Sequence, residues 1–282
     1  SVPLFKDLGL ESVFFSVIDG VANAVTNYAS IIQRNYGDAT VVTPYYPDAD
    51  DSIYPFPVLR YPSIDVTKLV GYRAGLPLSP ELMAQVEGRH IDLIHSHCPV
   101  TSTILARMLR QRLHVPLVFT YHTKFDIDIA NAIHSKRLQE ASIKLLVENI
   151  SACDEVWTVS RGAGENLRSL GYAGDYIVMP NGVDFAAGRV EPEKAHAVGA
   201  GLDLPEGVPV FLFVGRIMWY KGLRIILDAM KALKESGCDF RMVFVGKGTD
   251  GPEVEAYCHE LLLDDKVFFV APAYDRDVIR AW

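Results

Sequence analysis

"IDLIHSHCPVTSTILARMLRQRLHVPLVFTYH", residues 91–122, reads as strand, helix, strand. Ile91–Ser96 and Leu117–Tyr121 are short runs of Ile, Leu, Val and Phe that end in turn or polar residues, the mark of buried strands. Between them, Thr101–Leu113 repeats its apolar residues at helical spacing. Strands that are apolar at nearly every position are covered on both faces. A helix between two such strands therefore predicts a parallel sheet with helices packed on each side.

The same alternation runs outward in both directions. Further strands are expected at Ser12–Ile18, Ala39–Thr43, Val58–Tyr61, Glu155–Ser160 and Tyr176–Met179, and helices at Val21–Asn35, Pro80–Gly88 and Ser135–Ala152. The pattern stops in "NGVDFAAGRVEPEKAHAVGAGLDLPEGVP", residues 181–209, which is rich in Gly, Ala, Pro and Glu and reads as a connection between domains. A second series follows, with strands Val210–Val214, Arg241–Val245 and Val267–Val270, helices Lys221–Glu235 and Pro252–Leu262, and a last helix from near Asp275. The expected division is an amino-terminal domain at 1–185, a connection at 186–206 and a second domain at 207–282. Three strands are few for a doubly wound sheet. The second domain is therefore expected to be partial, with an exposed sheet edge.

Composition narrows the class. Of 282 residues, 49% are hydrophobic and 22% charged, as in a globular protein with a substantial core. The formal net charge of −8 argues against a nucleic-acid partner, which needs a basic face. No apolar run approaches the roughly 20 residues that cross a bilayer, and no leader peptide is expected from the first residues. Cys98, Cys153, Cys238 and Cys258 form no C-x-x-C pair and are expected to be reduced, mostly buried thiols of a cytoplasmic protein.

In open α/β sheets ligands bind beyond the carboxyl ends of strands. Asp19-Gly20 follows the first strand; it is either a capped turn or a close approach to an anion or sugar. His95 and His97 alternate at the end of one strand and, without a third ligand nearby, read as buried or cleft-lining rather than metal-binding. His122 ends the next strand, where a neutral imidazole reaches a cleft and can hydrogen-bond a hydroxyl. Asp126 and Asp128 form a D-x-D, open between metal binding and helix capping. Gly246, Gly248 and Gly251 match G-x-G-x-x-G, yet the acidic residue of a dinucleotide site is missing, because the next strand ends in Ala271-Pro272. A loop against a ribose or base, or a plain glycine turn, fits better. Arg216 and Lys221 bracket an expected helix start. They are two solvated cations or a clamp for a diphosphate.

Several pieces together carry a resemblance: "DGVANAVTNYA", "DLIHSHCPV", "FTYHTKFD", "DEVWTVSRGAGENLRSLGY", "VMPNGVDF" and "FVGRIMWYKGL", in this order. The sequence resembles the retaining family-four glycosyltransferases, over nearly the whole chain. The resemblance implies the GT-B fold, two Rossmann-like doubly wound parallel-sheet domains facing a cleft. It also implies transfer of a sugar from a UDP- or GDP-sugar to a lipid or glycan acceptor, with no cofactor and no required metal. Arg216 and Lys221 would bind the donor diphosphate and His122 the transferred sugar. Gly20, Gly246, Gly248, Ala271 and Pro272 would line the donor, and Asp19, Gly20, Thr123 and Asp126 would face the acceptor. Asn181-Gly182 would be structural, and no residue is nominated as a covalent nucleophile. "YPSIDVTKLVGYRAGLPLSPELM", residues 61–83, allows peripheral contact with a membrane or is a plain connecting segment. Two departures stand out. Asp19 replaces the first of two adjacent glycines, and the chain reaches Trp282 without the later two-glutamate motif of the family. The activity of this span by itself is thus open, and the alternatives are a non-catalytic nucleotide-sugar-binding remnant or a GT-B nucleotide-sugar epimerase.

Overall fold

The computed structural model describes residues 12–16, 21–47, 49–65, 74–76, 79–122, 125, 129–130, 133–182, 188–273 and 275–282. Asp19, Gly20, Thr123, Asp126 and Asp128 lie outside them. The chain divides into two units, 1–183 and 184–282.

The first unit runs β1 (Ser12–Ser16), α1 (Ala22–Asn35), β2 (Asp38–Pro44), β3 (Val58–Tyr61), β4 (Ser63–Ile64), β5 (Ala74–Gly75), α2 (Pro80–Glu87), β6 (Leu93–Ser96), α3 (Thr101–Leu113), β7 (Leu117–Tyr121), α4 (Lys136–Ser151), β8 (Glu155–Thr158), α5 (Arg161–Ser169) and β9 (Ile177–Val178). Seven strands form one parallel sheet in the order β3-β2-β1-β6-β7-β8-β9. The order runs outward one way from β1 and the other way from β6. The switch point lies between those two strands, and His97 directly follows β6.

Period-two alternation divides the core between the two faces of this sheet. Ala39, Val41, Leu93 and Val118 pack with Val25, Ala29 and Ile32 of α1. Val42, Ile94 and Leu117 pack on the other face with Leu105 and Leu109 of α3 and Val86 of α2. Both faces are therefore dry, which explains why these strands carry apolar residues on both sides. Within residues 61–83, β4 pairs antiparallel with β5, Ser63 opposite Gly75 and Ile64 opposite Ala74. No helix among the described residues is long and apolar enough to cross a membrane.

The second unit runs α6 (Pro192–Val198), β10 (Val210–Val214), α7 (Leu223–Glu235), β11 (Arg241–Val245), α8 (Gly251–Glu260), β12 (Val267–Val270) and α9 (Arg276–Ala281). Its sheet is parallel, in the order β10-β11-β12. Leu223, Leu227 and Met230 of α7 and Val254 and Cys258 of α8 cover Met242 and Phe244. On the border strand β10, Val210, Phe211, Leu212 and Val214 are exposed. The stretch 186–206 carries α6, and its far end is fixed to β11. Arg241 is nearly buried there and donates to Asp203 through Nη2 to Oδ2 at 2.6 Å and Nε to the carbonyl oxygen at 2.8 Å.

Candidate functional site

The expected helix from Lys221 begins two residues later. Trp219–Lys221 form a single 3-10 turn, Gly222 adopts φ +78°, and α7 starts at Leu223. Arg216 and Lys221 thus stand on the β10–α7 loop, ahead of the helix. No side chain caps the start of α7 and its first turn has no acidic residue. Its first N–H groups and partial positive charge are therefore not neutralised by the helix itself.

The loop is held by the one after β11. Gly215 N–H donates to the Val245 carbonyl at 3.0 Å and Ile217 N–H to the Lys247 carbonyl at 3.1 Å, so strand pairing continues past the strand ends. A side chain on the second loop would not fit. A Cβ on Gly246 would stand 1.8 Å from the Gly215 carbonyl oxygen, and one on Gly248 would stand 2.0 Å from that of Ile217. Gly246 and Gly248, the first two glycines of the G-x-G-x-x-G run, therefore let two backbones touch, a requirement internal to the fold. Asp250 then fixes the 3-10 turn, its Oδ2 accepting from the Trp219 N–H at 2.8 Å.

Both cations meet one ring. Arg216 Nη2 donates to the Tyr220 hydroxyl at 2.9 Å, and Lys221 Nζ lies 5.1 Å from the centre of the Tyr220 ring. Tyr220 is 62% exposed, and Arg216 and Lys221 are exposed beside it, so all three are open to a ligand. Gly246, Gly248, Ala271 and Pro272 follow β11 and β12 at the same carboxyl edge, and Gly246 N–H bonds the Val270 carbonyl at 3.1 Å.

In the first unit, His122 ends β7 as expected, and it is joined to the H-x-H pair. β6 and β7 run in register, His95 opposite Val118 and Ser96 opposite Phe119. His95 in β6 and His97 just after it each reach two positions beyond their register partners on the neighbouring strand. His95 Nε2 is 2.7 Å from Thr120 Oγ1, and His97 Nδ1 is 2.8 Å from His122 Nε2. The His95 and His97 rings lie 4.0 Å apart, with Tyr28 of α1 and Trp157 of β8 around them. Burial pushes His122 down to about 4. Burial, with the neighbouring His122, pushes His95 to about 3, and burial followed by the charges of His95 and His122 holds His97 well below its ordinary value. All three rings are neutral at neutral pH. No group of three or more His, Cys, Asp or Glu among the described residues is placed to hold a metal ion.

The sequence matches the family described as Glycosyltransferase Family 4 over residues 18–187, which is more than half of its length. The chain belongs to that family. Residues 200–281 match a second description, Glycosyl transferases group 1. The α-monoglucosyldiacylglycerol synthase of Streptococcus pneumoniae is 20% identical over 96% of this chain and 62% of its own length. The D-inositol 3-phosphate glycosyltransferase of Xylanimonas cellulosilytica is 30% identical over 68% of this chain and 47% of its own. The family member described here thus spans less than two thirds of either relative. Among solved structures, Anabaena HepE in complex with UDP and glucose superposes with a TM-score of 0.67 at 17% identity, covering 96% of this chain and 72% of that one. This likeness is one of fold, and the fold is GT-B.

Tyr220, Trp219 and Asp250 escape a sequence reading. An aromatic residue directly before the lysine was the available signal for Tyr220. The tie between His97 and His122 was signalled by equal spacing, because 95 to 120 and 97 to 122 span the same number of residues on neighbouring strands.

Proposed function

We propose that the protein is a retaining glycosyltransferase that moves a hexosyl group from a UDP- or GDP-sugar to a lipid or glycan acceptor. The observation that carries this reading is the pair Arg216 and Lys221 around Tyr220, on a braced loop at the carboxyl end of β10. Breaking the bond between the anomeric carbon and the phosphate oxygen leaves an oxocarbenium-like sugar and adds negative charge to the diphosphate. Preorganised cations stabilise that charge as it develops, Arg216 as a fork and Lys221 as a point charge. Retention follows when the acceptor hydroxyl attacks the face that the diphosphate leaves and its proton passes to a phosphate oxygen. The neutral His122 ring suits a hydrogen bond to a sugar hydroxyl. Two cations on the diphosphate also make a metal unnecessary in this scheme.

The first unit supplies an acceptor surface. A cavity of about 330 Å³ opens at the ends of β2 and β3, its walls including Val25, Val41, Phe56, Tyr54 and Arg60. The Arg60 guanidinium is already engaged, with Asp51 at 2.7 and 2.6 Å and the Pro44 carbonyl at 2.9 Å. A mainly apolar wall whose one cation among the described residues, Arg60, is paired with Asp51 favours an uncharged, partly apolar acceptor over a phosphorylated one. The monoglucosyldiacylglycerol synthase relative fits that preference. The setting we propose is the cytoplasm, at the membrane surface where the acceptor is a lipid, in keeping with four unpaired cysteines. Incubation with UDP- and GDP-hexoses and diacylglycerol in mixed micelles, with and without a chelator, tests this. The expected product is a glycolipid with the donor's anomeric configuration, formed equally with chelator. Absence of transfer, of donor hydrolysis and of nucleotide binding together would overturn it.

A further inference from the structure

His122 has two ring nitrogens, and the fold decides which one faces a ligand. The geometry points to His97 as a positioning residue that ties up His122 Nε2 and so presents Nδ1 of that ring to the donor sugar. This inference rests on the reading of His122 as a sugar-contacting residue, and it adds the nitrogen that does so and the residue that selects it.

The His97 Nδ1 to His122 Nε2 separation of 2.8 Å is that of a hydrogen bond between rings, not of packing alone. The His97 ring is fully buried, its centre 4.0 Å from that of the tilted His95 ring and flanked by Tyr28, so packing restricts its orientation. Two neutral imidazoles share a single proton across such a bridge. Whichever nitrogen carries it, His122 Nε2 is occupied, and the state of Nδ1 is fixed as the complement. Nδ1 of His122 has no hydrogen-bond partner among the described residues.

The neighbouring rung, His95 Nε2 to Thr120 Oγ1, repeats the same offset between β6 and β7 one step deeper. It anchors His95, which supports His97 from below. The ladder stands beside the switch point of the sheet, where open α/β folds place their ligands. A buried histidine that served packing alone would not need its Nδ1 aimed at a second ring.

Two substitutions separate positioning from packing because they rank in opposite orders. His97→Phe keeps the ring volume and removes the bridge. His97→Asn loses volume but keeps a polar atom near the place of Nδ1. Nitrogen-15 NMR of selectively labelled histidine reads the His122 tautomer directly, without any substrate. The wild type is expected to show one neutral tautomer for His122, His97→Asn to keep it, and His97→Phe to give a mixture. In transfer assays with a UDP-hexose, kcat is expected to fall roughly 10–100-fold in His97→Phe with the donor KM little changed, and only a few-fold in His97→Asn. A mixture of tautomers in the wild type, or an unchanged His122 signal in His97→Phe, would overturn the inference. If the NMR result holds while no transfer occurs, the glycosyltransferase reading fails and the positioning of His122 stands.

Discussion

Replacing Gly246 by Ala is expected to be among the most damaging single-methyl changes in the second unit. The new Cβ would stand 1.8 Å from the Gly215 carbonyl oxygen, about 1.6 Å inside the 3.4 Å at which ordinary contact begins. Backbone on both sides leaves no flexible side chain to yield, so the β10–α7 and β11–α8 loops must part by about that much. Parting them stretches the 3.0 and 3.1 Å bonds from Gly215 and Ile217 beyond hydrogen-bonding distance. Two lost backbone bonds cost about 2 kcal/mol, and the φ of +156° adds about 1–2 kcal/mol of strain for a residue with a side chain. The expected loss is therefore about 3–4 kcal/mol.

Three other glycines isolate the causes. Gly248→Ala keeps the clash, 2.0 Å from the Ile217 carbonyl oxygen, without the positive φ, and should lose about 2–3 kcal/mol. Gly222→Ala has open space but φ +78°, and should lose about 1 kcal/mol. Gly251→Ala meets neither obstacle and should stay within about 0.5 kcal/mol of the parent. Urea denaturation followed by Trp219 fluorescence, with Trp157 and Trp282 replaced by Phe as the background, ranks the four. The same clash displaces Arg216, so UDP affinity should fall in Gly246→Ala and Gly248→Ala and hold in Gly251→Ala. If Gly246→Ala is as stable as Gly251→Ala, the two loops do not brace each other and the reasoning is wrong.

Acid should destabilise the first unit through His95, His97 and His122. Their folded pKa values are depressed, so nothing changes above about pH 7. Stability is lost as pH falls below the unfolded value near 6.5, until the folded values near 4 and 3 are reached. His95 and His122 together should remove about 3 kcal/mol at pH 5.5, which urea midpoints measured between pH 7.5 and 5 will show, and a His122→Gln variant should have a shallower slope. A thiol reagent at neutral pH should modify Cys238 quickly and the other cysteines slowly. Burial pushes Cys98 and Cys258 up to about 11 and Cys153 to about 12, whereas Cys238 is exposed. Counting fast-reacting thiols before and after denaturation, one and then four, checks this.

The strands were legible because short, mostly apolar runs bounded by turn residues mark them, whether both faces are covered, as in Leu117–Tyr121, or one strand stands exposed at the sheet border, as in Val210–Val214. Val58–Tyr61, Leu117–Tyr121, Val210–Val214, Arg241–Val245 and Val267–Val270 stand at their expected bounds. The β4–β5 ribbon was not legible, since two-residue strands have no period to detect. The sequence does not point to α5, because "RGAGENLRS" carries two glycines. It forms because Ser160 caps it, accepting from the Ala163 N–H at 3.1 Å. The sequence places the start of α7 two residues early, because Lys221 continues the helical composition while Gly222 first turns the chain through a left-handed conformation.

At the candidate site, chemistry was more legible than its support. Residue types and their position after strands pointed to Arg216, Lys221 and His122. The glycine run suggested a ligand, but the space that Gly246 and Gly248 keep open is filled by the neighbouring loop. Contacts between segments 25 or 31 residues apart, such as His97 with His122 and Trp219 with Asp250, depend on register across the sheet, which local sequence does not encode.

The central claim is that Arg216 and Lys221 hold the diphosphate of a nucleotide sugar. Calorimetric titration of UDP and GDP into the whole chain, its Arg216→Ala variant and its Lys221→Ala variant tests it most directly. Each variant should weaken binding roughly 10-fold or more for diphosphates, as expected for loss of a charge-assisted contact, while uridine affinity changes little. Equal UDP and GDP affinity in the parent and both variants would contradict the account.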